Sequence, residues 1–179
     1  SNNSIYGEYI HGTLIDHVTM DGVGIDLQYS DNVIISNNTI TNTTTAIDAY
    51  DCDPVEIRGN TIDQFTSYGI NFTSSEYAIV DSNTITSTIE NGNVYGIYGN
   101  SDYSALSSYE KVTNNTIHIL RPGTKDYNYI YTWGIFNIKH GLIEGNTVKL
   151  EFPEAEYNAR GEGIRGFDGV TIRDNDVDV

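Results

Sequence analysis

Ile35-Ser36-Asn37-Asn38-Thr39-Ile40 is a six-residue phrase, Ile-x-x-Asn-x-Ile, whose recurrence decides the fold. It returns as Ile57-Arg58-Gly59-Asn60-Thr61-Ile62 and Val80-Asp81-Ser82-Asn83-Thr84-Ile85. Further copies run Val112–Ile117, Ile143–Val148 and Ile172–Val177. A seventh is read at Ile15-Asp16-His17-Val18-Thr19-Met20, with Val in the Asn slot. The Asn slots fall at 38, 60, 83, 115, 146 and 175, so the steps are 22, 23, 32, 31 and 29 residues. Near-constant short steps followed by longer ones predict one solenoid coil per repeat, with loops inserted into later coils. Val, Ile and Thr dominate, and apolar residues alternate, which is a strand signal. A second phrase recurs between the first: Gly24-Ile25, Ala46-Ile47, Gly69-Ile70, Gly96-Ile97, Gly134-Ile135 and Gly163-Ile164. Each coil therefore has at least two strands.

Stacked coils account for the asparagines. An Asn at one place in every coil is within reach of its counterparts ~4.8 Å above and below, and of the turn backbone. Asn38, Asn60, Asn83, Asn115, Asn146 and Asn175 are expected to form an internal ladder. Alternation turns Thr39, Thr61, Thr84, Thr116 and Thr147 outward. This pattern resembles the right-handed parallel β-helix repeat family over about Ile15 to Val177. That family includes pectate lyases, polygalacturonases, alginate epimerases, phage tailspikes and adhesin-like surface proteins. The resemblance implies an all-β, right-handed parallel β-helix of about seven coils. It does not imply one chemistry, because the fold hosts several.

One uninterrupted array over 1–179 reads as a single domain, a rod ~34 Å long. Insertions are placed at about 86–96, 98–111, 118–134 and 149–163. Nine Lys and Arg stand against 25 Asp and Glu, a formal charge of −16. That balance argues against nucleic acid and anionic membranes, which require basic footprints. Cys52 is the single cysteine, so no intrachain disulfide forms, and it reads as a small residue of core or turn. No signal peptide or membrane span is evident. Tyr, Asn and Thr enrichment with few Lys fits an extracellular or cell-surface location. The abrupt ends are expected of a mature or excised piece of a longer product. Asn-x-Ser/Thr sequons stand at Asn2, Asn37, Asn42, Asn71 and Asn114.

Residues after each Gly/Ala-Ile form an outward column: Asp26, Asp48, Asn71, Tyr98, Phe136 and Arg165. Asp26 and Asp48 would be ~5 Å apart on adjacent coils, which raises one pKa or recruits a cation. Oxygen-only ligands suit Ca²⁺, so the pair is a weak calcium candidate against the plainer reading of two solvated acids. No other cofactor is expected. Asp21-Gly22-Val23-Gly24-Ile25-Asp26 resembles the Asn-Thr-Asp-Gly-Ile-Asp phrase of polygalacturonases. Where that family next carries a catalytic Asp-Asp, this chain has Thr43-Thr44-Thr45-Ala46-Ile47. Its Gly-His-Gly and Arg-Ile-Lys phrases, and the Asp-Pro-His-Asp of alginate epimerases, are missing too.

Lyase chemistry requires a base, with Lys111, Lys125, Lys139, Lys149, Arg160 and Arg165 available. Arg160 and Arg165 are weak catalytic candidates in the densest basic segment, which reads more simply as a Gly-rich turn with solvated charges. His11, His17, His118 and His140 lack metal-ligand spacing. Alternation in 126–133 places Tyr127, Tyr129, Tyr131 and Trp133 on one face. With Tyr98 they are the ligand-binding candidates, since aromatic faces beside polar groups suit sugar rings or protein partners. A satellite core is an equal reading of them. An open coil stack also has unpaired ends, which predicts contacts with self through the coil ends. The leading expectation is a non-catalytic structural or adhesin-like element. The alternative is a polysaccharide-active enzyme or carbohydrate-binding domain.

Overall fold

The computed structural model describes residues 9–11, 14–16, 22–100, 109–122, 130–153 and 159–179, with side chains from Gly22 onward and not at Asn100. The first coil is β1 (Tyr9–His11), β2 (Leu14–Asp16) and β3 (Val23–Gln28). The second is β4 (Val33–Ser36) and β5 (Thr39–Tyr50), the third β6 (Val55–Arg58) and β7 (Thr61–Thr73). The fourth is β8 (Ile79–Asp81), β9 (Thr84–Thr88) and β10 (Val94–Asn100). The fifth is β11 (Lys111–Thr113), β12 (Thr116–Leu120) and β13 (Ile130–Ile138). The sixth is β14 (Leu142–Glu144), β15 (Thr147–Glu151) and β16 (Ala159–Gly166), and the seventh has β17 (Thr171–Arg173) and β18 (Asp176–Asp178).

Every pairing is parallel and joins one coil to the next, giving three faces. The first face is β1-β4-β6-β8-β11-β14-β17. The long strands β5 and β7 bend across a corner and serve both the second and third faces, which merges those faces into one sheet of 11 strands. The fold is thus an all-β, right-handed parallel β-helix of seven coils.

The repeat phrase straddles the corner between the first and second faces. Its first Ile lies one residue before the end of one strand and its last Ile one residue into the next, as with Ile35 in β4 and Ile40 in β5. The residue before each ladder Asn has positive φ: Asn37, Gly59, Ser82, Asn114, Gly145 and Asp174, at 54 to 66°. Left-handed backbone favours small polar residues and glycine, which explains the variable slot. Each ladder Asn from Asn38 to Asn146 donates both its backbone N–H and its Nδ2–H to Oδ1 of the next, at 2.9–3.0 Å. From Asn60 onward, Nδ2 also reaches back to the carbonyl of the phrase's first residue one coil below, as Asn83 does to Ile57 at 2.9 Å. Asn38 through Asn146 are buried, and Thr39, Thr61, Thr84, Thr116 and Thr147 are exposed, both as expected.

Three sequence readings are corrected by register. Ile10 pairs Ile35 and Ile15 pairs Ile40, so the first copy of the phrase is Ile10–Ile15 rather than Ile15–Met20. The Asn slot then falls on Thr13, outside the described residues, and not on Val18. An Ile at either position satisfies the pattern, and only cross-strand pairing selects between them. The insertions are also narrower than their sequence brackets: 86–88, 94–96, 98–100, 118–120, 130–134, 149–151 and 159–163 are strand. Finally, Arg160–Arg165 is not a turn but part of β16, paired with β13. Its glycines are there for packing. A Cβ on Gly163 would overlap Val177 Cγ1, and one on Gly161 would meet Val179 Cγ1 at 2.7 Å and Phe152 Cε2 at 2.8 Å.

The same reason explains the Gly/Ala-Ile phrase. A Cβ on Gly24, Gly69 or Gly96 would stand 2.6 Å from a backbone carbonyl of the next coil and 2.7–2.8 Å from an Ile Cγ2. The third face is pressed that closely on the interior. Inside lie columns of β-branched residues, Ile35-Ile57-Val80-Val112-Ile143 and Ile40-Ile62-Ile85-Ile117-Val148 among them, all at most 1 % exposed. Val and Ile fill identical niches in successive coils, which suits a solenoid core.

Candidate functional site on the third face

The third face gathers most of the chemistry-bearing side chains that the sequence singles out. Register aligns Asp26 with Asp48, Asp48 with Asn71, Asn71 with Tyr98, Tyr98 with Phe136 and Phe136 with Arg165. A parallel column holds Thr45, Tyr68, Tyr95, Trp133 and Glu162. The face therefore grades from acids through aromatics to a Glu–Arg pair.

At the acidic end, Asn71 Nδ2 donates to Asp48 Oδ1 at 2.8 Å, and Thr73 Oγ1 donates to Asn71 Oδ1 at 2.9 Å. Gln28 Nε2 donates to Asp26 Oδ1 at 3.3 Å. Burial pushes the Asp48 carboxyl up, Asn71 opposes it and the Asp26 charge reinforces it. The pair supplies two carboxylates, each with an oxygen already engaged by an amide, where calcium takes six to eight oxygens. Among the described residues no group of three or more His, Cys, Asp or Glu gathers as a metal would need.

In the middle, aromatic rings pack on one another. Tyr68 stacks on Tyr95 at 4.9 Å and 8°, Tyr95 on Trp133 at 4.5 Å and 6°, and Trp133 on Tyr131 at 5.2 Å and 13°. Tyr98 meets Tyr68 and Tyr95 edge-on and stacks on Phe136 at 5.8 Å. Trp133 is only 8 % exposed. The strand spacing of ~4.8 Å matches ring-stacking distance, so in-register aromatics on successive coils cover one another's faces. Burial pushes the Tyr95 hydroxyl up to about 12, with Tyr68 and Tyr98 adding to it, and raises Tyr68, with Tyr98 and Asp48 contributing. Of the aromatic candidates, Tyr98, Tyr131 and Trp133 join this rib, while Tyr127 and Tyr129 lie outside the described residues.

At the far end, Arg165 pairs with Glu162 at 3.4 Å and lies over the Phe136 and Phe167 rings at 5.6 and 5.2 Å. Glu162 also accepts from Trp133 Nε1 at 3.3 Å. Arg160 is exposed beside Tyr131. Asp48 and Arg165 are four coils apart, ~19 Å, so one substrate bond cannot reach both. The remaining bases are dispersed. His118 and Lys149 both engage Glu151 on the second face, at 2.6 and 2.5 Å, and Lys139 is buried near Glu110.

The right-handed β-helix region pattern matches residues 1–177. The chain belongs to that family. No curated protein and no solved structure matches it. For a β-helix the lateral faces are the repeated surfaces, and in this one sequence reasoning passed over Tyr29, Tyr50 and Tyr77. They stand 39–47 % exposed where the third face turns into the first. Their signal was a Tyr with an acid close by in sequence after the second phrase: Tyr29 and Asp31, Tyr50 and Asp51, Tyr77 and Glu76.

Proposed function

We propose that this β-helix is a non-catalytic structural or adhesin-like element, extracellular or at a cell surface. The observation that carries the reading is the aromatic rib, whose rings spend their faces on each other. With the Asn ladder it ties successive coils twice, once inside and once outside, as a stiff spacer requires. Contact with self through the coil ends is part of this proposal. Its support is the uniform parallel pairing of each coil with the next, a contact that a second copy can supply. Sedimentation velocity at rising concentration tests it: growth into linear species supports end-to-end contact, and a monodisperse monomer refutes it.

A second reading is a polysaccharide-active enzyme or carbohydrate-binding domain. One observation favours it: Asp26 and Asp48 are neighbours with unlike environments, and the Asp48 carboxyl is raised. A raised acid beside a second carboxylate is the arrangement of glycoside hydrolysis. A depolymerisation screen over neutral and uronate polysaccharides decides between the two. Turnover that is lost in Asp48→Asn would replace the structural reading.

A further inference from the structure

The tyrosines with described side chains divide into those of the rib and four that are exposed. Tyr29, Tyr50, Tyr77 and Tyr109 are 40, 39, 47 and 49 % exposed, and all four lie on the edge where the third face turns into the first. They occupy four successive windings, between β3 and β4, at the end of β5, between β7 and β8, and between β10 and β11. The Tyr29 N–H bonds the Tyr50 carbonyl at 2.9 Å, and the Lys111 N–H bonds that of Ala78 at 2.8 Å, which fixes their succession along the axis. Tyr29 and Tyr50 meet only edge-on, at 5.5 Å and 84°. That contact puts one ring's edge on the other's face and leaves the opposite faces to solvent, whereas the rib stacks ring on ring.

Carboxylates alternate with these rings along the same edge. Asp31, Asp51 and Asp53 stand on adjacent windings, with Glu76 beyond them. The edge already holds one cation in the mode this composition favours, since Lys111 Nζ sits 5.8 Å over the Tyr109 ring. Open tyrosine faces beside carboxylates attract ammonium and guanidinium groups by ring quadrupole and by charge together. The overall charge of −16 steers cations toward the rod. Four windings span ~14 Å, the reach of about four extended residues.

We propose that this tyrosine edge docks a basic, extended polypeptide segment of a partner protein, its Lys or Arg side chains lying over the rings and against the carboxylates. The proposal is independent of the third face, so it survives or fails apart from the structural reading.

The test uses a fluorescent octapeptide of alternating Gly and Arg, titrated by anisotropy at ~0.15 M salt to suppress long-range attraction. The Tyr50→Ala/Tyr77→Ala double variant is expected to weaken binding about tenfold. Tyr50→Phe/Tyr77→Phe, which keeps the ring faces, retains affinity within about twofold. Asp174→Asn/Asp176→Asn on the last coil leaves it unchanged. Absence of binding overturns the proposal. So does weakening by the last-coil pair that matches or exceeds that by the tyrosine pair, since only the last-coil pair changes the net charge.

Discussion

Replacing Asn83 by Ala tests whether the ladder is a stabilising structure or a decoration. Asn83 Oδ1 accepts from both Asn60 N and Asn60 Nδ2, and Asn83 Nδ2 donates to Ile57 O and Asn115 Oδ1. The truncation strips the acceptor from the Asn60 backbone N–H and from one of its two Nδ2 hydrogens, the other keeping Ile35 O, at a site 1 % exposed. Asn115 Oδ1 keeps the backbone N–H of residue 83, so the damage falls on the coil below. Two orphaned buried donors cost about 4 kcal/mol at ~1–3 kcal/mol each. That converts to a Tm fall of roughly 8–16 °C for a chain of this length. Asn175→Ala removes the equivalent acceptor from Asn146, but Asn175 is half-buried in the last coil and water replaces it. Its cost is about 1 kcal/mol. Calorimetric or circular-dichroism melts of both variants read the difference. A loss below ~1 kcal/mol at Asn83, or equal losses at the two positions, would refute the argument that buried amide satisfaction holds the coils.

Other perturbations follow from buried charge and from packing. Arg121 is fully buried, donates Nη2 to Gly92 O at 2.7 Å, and among the described residues has no hydrogen-bond partner for Nε and Nη1. Burial pushes its pKa down to about 10, a cost on the order of 3 kcal/mol at neutral pH, so Arg121→Met is expected to raise Tm by a few degrees even after losing the Gly92 bond. A lower Tm would contradict this. Asp53 is pushed up to about 6 by burial first, then by Glu76, Asp51 and Asp31, against a bond from the Glu76 N–H. Because its folded pKa is raised, its stabilising share is full below about pH 4 and is lost as pH rises through about 6. Asp53→Asn should therefore flatten the decline of Tm between pH 4 and 7, and an unchanged slope would count against it. Tyr95→Ala removes the ring stacked between Tyr68 and Trp133 and should cost about 3 kcal/mol, with a large loss of near-ultraviolet circular dichroism. Gly96→Val would drive a side chain into the Gly134 carbonyl, 2.6 Å from its Cβ, and is expected to prevent folding, read as loss of soluble protein.

The sequence by itself determined the coil, the number of coils and the interior amide ladder. Each is a local pattern repeated at one period, and repetition turns local preference into stacking. It also determined the outward column from Asp26 to Arg165, because alternation within a strand fixes which side chains share a face. Tertiary structure decided what period alone leaves open. It set the first copy at Ile10–Ile15, since only cross-strand register separates two equally apolar frames. It made a strand of Arg160–Arg165, where glycines yield space to Val177, Val179 and Phe152 rather than forming a turn. It also separated two kinds of tyrosine that look alike in sequence. Those in register on the third face cover one another at strand spacing, while those on the edge sit at or beyond the strand ends and stand 39–49 % exposed.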